Sequence, residues 1–80
     1  MTEELKYYAL QATSAKHAKA LARKSRRHFG EGHKIKNANW VIVGPTTRAP
    51  WAWREALPSG GDWNMYAGYS PENAAENAGV

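Results

Sequence analysis

The sequence predicts an α+β fold of order β-α-β-β-β, one basic helix packed on a small, mostly antiparallel sheet. Three features predict it: a Tyr-rich alternating run at 5–12, a helical stretch at 15–29 bracketed by Ser14 and Gly30, and a β-branched run through Val41, Ile42 and Val43. Eighty residues make one domain with a thin core. With no cysteine, neither disulfides nor thiolate metal sites can staple that core. It must come from Leu, Ile, Val, Ala and the aromatics. On this reading residues 1–69 are the domain and 70–80 an acidic C-terminal tail.

The first strand, LKYYALQA, places Leu5, Tyr7 and Ala9 on one face and Tyr8, Leu10 and Ala12 on the other. Ser14 then stands as an N-cap. Behind it Ala18, Leu21, Ala22, Ser25 and Phe29 recur at i, i+3, i+4 spacing as one narrow inner stripe. Gly30 closes the helix, and Arg26, Arg27 and His28 in its last turn complement the dipole. Residues 33–43 read as a second strand, strongest at 40–43 and ended by Gly44-Pro45, because proline cannot continue a central strand. From Trp51 two readings compete: a short helix with Pro50 at its start, or an aromatic hairpin turning at PSGGD. The alternation of Trp51, Ala52, Trp53 and Arg54 favours the hairpin. After Tyr69 the chain offers Ser70 as a cap and Pro71 at a first helical position but no large apolar stripe, so it reads as a frayed tail.

Charge is distributed in blocks. All eleven Lys and Arg lie in residues 1–54 against Glu3, Glu4 and Glu31, a balance of +8. Residues 55–80 hold four acids and no base, a balance of −4. At about 100° per residue, Lys16, Lys19, Arg23, Arg26 and Arg27 share an arc of about 100° on the helix, away from the apolar stripe, with Lys24 to one side. Many helix faces are Lys-rich for solubility alone. This one lacks the interleaved Glu that would make i,i+4 pairs, clusters arginines whose planar forks suit phosphate or carboxylate, and continues through Lys34, Lys36 and Asn37. The expected partner is nucleic acid, bound largely without regard to sequence, or a protein surface that normally grips it.

Other chemistry finds little support. His17 and His28 are eleven residues apart, about 16 Å along a helix, too far to share an ion, and no acid completes a set with His33. The four serines lack a nucleophile-elbow context, the acids are scattered, and the Gly-containing turns lack the Lys-Ser/Thr of a phosphate loop. The expectation is a non-enzymatic protein with no cofactor and no metal. No run approaches the roughly 20 apolar residues that cross a bilayer, and the opening MTEELK has no apolar signal core. A soluble, cytoplasmic protein, monomeric and without membrane contact, is expected. Among the tryptophans, Trp40 reads as core. Trp51 and Trp53 share a face if their segment is a strand, and are then both buried or both exposed as a contact surface for bases or a protein.

The run Ala12, Ser14, Ala18, Lys19, Ala22, Lys24 fits the pattern A-x-S-x-x-x-A-K-x-x-A-x-K. It resembles the strand-to-helix junction of the group-nine type I-F anti-CRISPR proteins of phages, and Trp51, Trp53, Arg54, Glu55 and Trp63 are similar to that family's closing aromatic hairpin. The similar parts span residues 5–66. The resemblance implies an inhibitor, acting in the bacterial host cell, that binds the backbone subunits of a type I CRISPR surveillance (Cascade) complex and interferes with target DNA recognition. It further implies that such a protein promotes loose duplex DNA binding by the complex. By position, Lys19 and Lys24 match the family's basic helix sites. Arg26, where the family has glutamine, the GPTTRAP loop and the segment after Tyr69 depart from it. Two other readings stand beside this one: a free-standing, sequence-independent nucleic-acid-binding module, and a structural subunit of a phage assembly held by its aromatics.

Overall fold

The computed structural model describes residues 4–36, 38–50, 53 and 65–80. Along the chain these form β1 (Lys6–Gln11), α1 (Ala15–Phe29), β2 (Glu31–Lys34), β3 (Trp40–Thr46), β4 (Met65–Gly68) and α2 (Pro71–Ala78). The strands make one sheet of order β2-β3-β1-β4 in which every neighbouring pair is antiparallel. Strands β1 and β2 are therefore parallel to each other with β3 inserted between them. Parallel strands need a long crossover, and α1 supplies it. The α+β class, one helix packed on an antiparallel sheet, follows the sequence pattern; the order differs in its last helix and in which segments supply the strands after α1.

Helix α1 begins and ends where its signals lie. Ser14 is extended, and its Oγ accepts the His17 N–H at 3.1 Å. Gly30 turns left-handed at φ 94°, and its N–H returns to the Arg26 carbonyl. The stripe Ala18, Leu21, Ala22 and Ser25 is buried against the sheet. Alanines let the helix lie close: a Cβ on Gly32 of β2 would sit 2.1 Å from the Ala22 carbonyl oxygen.

Strand alternation splits the core into two layers. Tyr8, Leu10, Val41 and Val43 point toward α1 and join Ala12, Ala18, Leu21 and Ala22. Ala9 and Ile42 point the other way and meet Ala74 of α2, with Tyr7, Ile35, Trp40, Ala75 and Ala78 packed around them. The two helices thus cover opposite faces of the sheet. Trp40, expected in the core, is half-buried in this second cluster, its ring centroid 6.0 Å from that of Tyr66.

Three sequence expectations need correction. The single strand at 33–43 is two strands, with β2 starting at Glu31 and a hairpin closed by the Ile35 N–H on the Trp40 carbonyl at 2.9 Å. Gly44-Pro45 does not end β3, which runs on to Thr46. Pairing with β2 finishes at Glu31–Gly44, so Pro45, with no N–H to donate, lies where β3 has only β1 beside it. Residues 71–78, expected as part of a tail, form α2, capped by Ser70 Oγ on the Asn73 N–H at 3.0 Å. Of the expected aromatic hairpin, residues 51, 52 and 54–64 lie outside the described residues. Met65 to Gly68 is a strand, paired to β1. Trp53 donates its N–H to the Pro50 carbonyl at 3.0 Å.

Candidate polyanion-binding ridge on α1

With the inner stripe of α1 committed to the sheet, its outer face must carry what remains, and what remains is cationic. Lys16, Lys19, Arg23, Lys24, Arg26 and Arg27 are all exposed. No acid lies on the helix. Ala20, Arg23, Lys24, Arg27 and His28 line an open groove of about 310 Å³, with Ala20 as a small side chain among large ones. Arg23 and Arg27 are four residues apart and so stand one above the other on one face. His28 was placed in the basic last turn from the sequence; Ala20 was not singled out, and its position next to Arg23, Lys24 and Arg27 on the helical wheel is the signal that would have found it.

The structure sorts the predicted cations by how they are held. The Arg26 guanidinium donates to the Gly32 carbonyl of β2 at 2.9 Å, so it ties helix to strand while leaving other N–H groups outward. Lys34 is half-buried and donates to the Ile35 and Ala38 carbonyls at 3.3 and 3.4 Å, bracing the β2–β3 turn. Lys24 places its Nζ 4.7 Å from the Trp53 ring centroid. Lys36 is exposed in the turn. Lys16, Lys19, Arg23 and Arg27 remain as the outward-facing set.

Trp53 joins the basic helix. Its ring stacks on Phe29 at 4.9 Å and 18° and meets the His28 ring at 6.0 Å, and it packs against the α1-side core. A ring engaged by Phe29, His28 and Lys24 serves as a buttress for the groove more than as an open stacking surface. Trp51, its expected companion, lies outside the described residues.

The acid nearest in sequence to the ridge faces away from it. Glu31 starts β2 on the sheet face opposite α1, where it accepts a hydrogen bond from the Tyr7 hydroxyl and approaches His33 Nε2 at 3.4 Å. The Tyr7 hydrogen bond, helped by His33, holds the Glu31 carboxyl below its ordinary pKa; the same bond holds the Tyr7 phenol above its own. Among the described residues this His33–Glu31 contact is the one acid–base pair within 4 Å, so no described carboxylate neutralises the ridge.

The other histidines are spread out. His17 Nδ1 accepts the Thr13 N–H at 3.1 Å near the start of α1, and His28 lies beside Trp53 at its far end. Among the described residues no three His, Cys, Asp or Glu are grouped as a metal site requires. No helix among them is long and apolar enough to cross a membrane. No protein-family model, curated protein or solved structure matches the chain.

Proposed function

We propose that this chain is a non-catalytic inhibitory binding protein that docks its α1 ridge on the backbone subunits of a type I CRISPR surveillance complex and interferes with target DNA recognition. The observation that carries the reading is the ridge itself: six exposed cations on one helix without an acid, with the acid nearest to it in sequence, Glu31, turned to the other side of the sheet. A rigid cationic face of this kind complements a surface shaped to hold a nucleic-acid backbone, or that backbone itself. The resemblance of residues 12–24 to the group-nine type I-F anti-CRISPR pattern supplies the partner.

A second reading, a free-standing nucleic-acid-binding module, rests on the same ridge used directly on phosphates. A mobility-shift experiment separates the two. Labelled duplex is tested with the purified protein alone and with a type I surveillance complex, at low and physiological salt. The inhibitor reading expects no shift by the protein alone at physiological salt, and altered target binding by the complex. A shift by the protein alone at physiological salt favours the free-standing module. If Lys19→Glu combined with Arg23→Glu folds normally and leaves every one of these activities intact, the ridge has no part in either.

A further inference from the structure

Lys6, on β1 and not on the ridge, lines a second concavity beside α2. The cleft holds about 120 Å³ between the end of β4 and α2, and Lys6, Ala67, Gly68, Tyr69, Asn73 and Asn77 form its walls. Both amides there are fixed in orientation by backbone partners that admit only one end of each. Asn73 Oδ1 accepts the Tyr69 N–H at 3.0 Å, which leaves its NH₂ group available. Asn77 Nδ2 donates to the Ala67 carbonyl at 2.7 Å, which leaves its Oδ1 as an acceptor. Lys6 Nζ lies 5.6 Å from the centroid of the exposed Tyr69 ring. The walls thus offer one cation, one amide donor, one amide acceptor and an aromatic face.

We propose that this cleft is a binding site for a carboxylate that carries a neighbouring N–H, the chemistry of a peptide C-terminus or of an aspartyl side chain on its own backbone. The carboxylate takes Lys6 and the Asn73 amide; the N–H takes Asn77 Oδ1; aliphatic carbons pack on Tyr69. At about 120 Å³ and open to solvent, the cleft takes a carboxylate and its adjoining N–H while the rest of the ligand lies outside it. The Asn77 acceptor disfavours a phosphodiester, whose ionised phosphate has no hydrogen to give it. The cleft lies on the α2 side of the sheet, opposite the ridge, and does not depend on what α1 binds.

The test is a ¹H–¹⁵N titration of the full chain with N-acetylglycine, acetate, N-acetylaspartic acid α-amide and dimethyl phosphate. Saturable shifts are expected at Gly68, Tyr69, Asn73 and the two side-chain amides, with α1 unmoved. N-acetylglycine or the aspartyl ligand should bind roughly tenfold more tightly than acetate, as one added hydrogen bond to a matched partner predicts. Whichever of these two binds better identifies terminal or side-chain carboxylate as the source. Lys6→Met, which keeps the half-buried stem of the side chain and removes its charge, should weaken both by about tenfold while the spectrum stays dispersed. The proposal is overturned if these amides do not move, if dimethyl phosphate binds as well as N-acetylglycine, or if Lys6→Met titrates like the unsubstituted chain.

Discussion

Tyr7 on β1 reaches across β3 to hydrogen-bond Glu31 on β2. The strand between them is crossed at Gly44, whose φ of 133° and missing side chain leave room: a Cβ there would stand 2.8 Å from the Lys6 carbonyl oxygen and 3.3 Å from the Tyr7 ring. The bond spans three strands, and it fixes Glu31 on the face away from the ridge. Tyr7→Phe should therefore let the Glu31 carboxyl titrate closer to its ordinary value, read by NMR of its side-chain carboxyl. The sign of the stability effect follows from the direction of the shift. A carboxylate whose folded pKa is lowered adds stability that is fully present above the ordinary carboxylate range and is lost as pH falls through its lowered value. The raised Tyr7 phenol acts at the other end, its contribution lost as pH rises past the ordinary tyrosine range. The variant should lose stability relative to the parent between these limits, and the gap should narrow in strong acid and strong base.

Gly44→Ala tests the crossing itself. The left-handed backbone alone costs an L-residue about 1–3 kcal/mol, and the contact with the Lys6 carbonyl is with backbone that cannot swing aside. Urea denaturation should show a loss of at least about 2 kcal/mol. A variant within 0.5 kcal/mol of the parent, a margin of about the scatter for surface substitutions, would mean β3 has another way past β1.

Ser25 makes the junction of α1 with the sheet. It is fully buried, donates to the Glu31 carbonyl and accepts the Gly44 N–H at 3.0 Å. One hydroxyl thus satisfies one backbone group on each of two strands. Ser25→Ala keeps the volume nearly unchanged and leaves both groups without it, at a cost of about 1–3 kcal/mol. Ser25→Ala at less than about 0.5 kcal/mol would show that water or a shifted strand replaces the hydroxyl.

How far the sequence displays this architecture varies by element. Helix α1 was legible to the residue because both ends are marked by residue types with one job each, Ser14 and Gly30, and because its stripe has Leu21 at the centre. Helix α2 carries the same kind of marks, Ser70, Pro71 and Gly79, yet its stripe is only Ala74, Ala75 and Ala78. Alanine buries little area and gives little contrast in a hydrophobic pattern. What makes it sufficient is a partner invisible in sequence, Gly68, where even a Cβ would lie 2.3 Å from the Ala74 nitrogen. Strands β2 and β3 merged into one because Ile35 and Trp40 continue the apolar run through the turn that separates them. In the ridge, exposure of the six α1 cations followed from periodicity. That Arg26 and Lys34 hold backbone carbonyls, and that Trp53 lies on Phe29, depended on which elements fold together, which spacing along the chain does not contain.

That division of labour among the cations yields the sharpest functional test. Arg23 and Arg27 face outward along the groove, whereas Arg26 spends an N–H on the Gly32 carbonyl of an edge strand. Arg23→Ala with Arg27→Ala should leave the denaturation midpoint nearly unchanged, since isolated surface positions seldom exceed about 0.5 kcal/mol. The same pair should weaken binding and lower the dependence of log K on log salt by about 2 if both contact phosphates, and by less if the partner is an acidic protein. Arg26→Ala should show the reverse balance: a stability loss of about 0.5–1.5 kcal/mol from the severed helix-to-strand bond, and a smaller change in salt slope. Equal effects of all three substitutions on binding and none on stability would mean that Arg26 leaves Gly32 freely, and that the ridge acts as a diffuse cloud of charge with no fixed members.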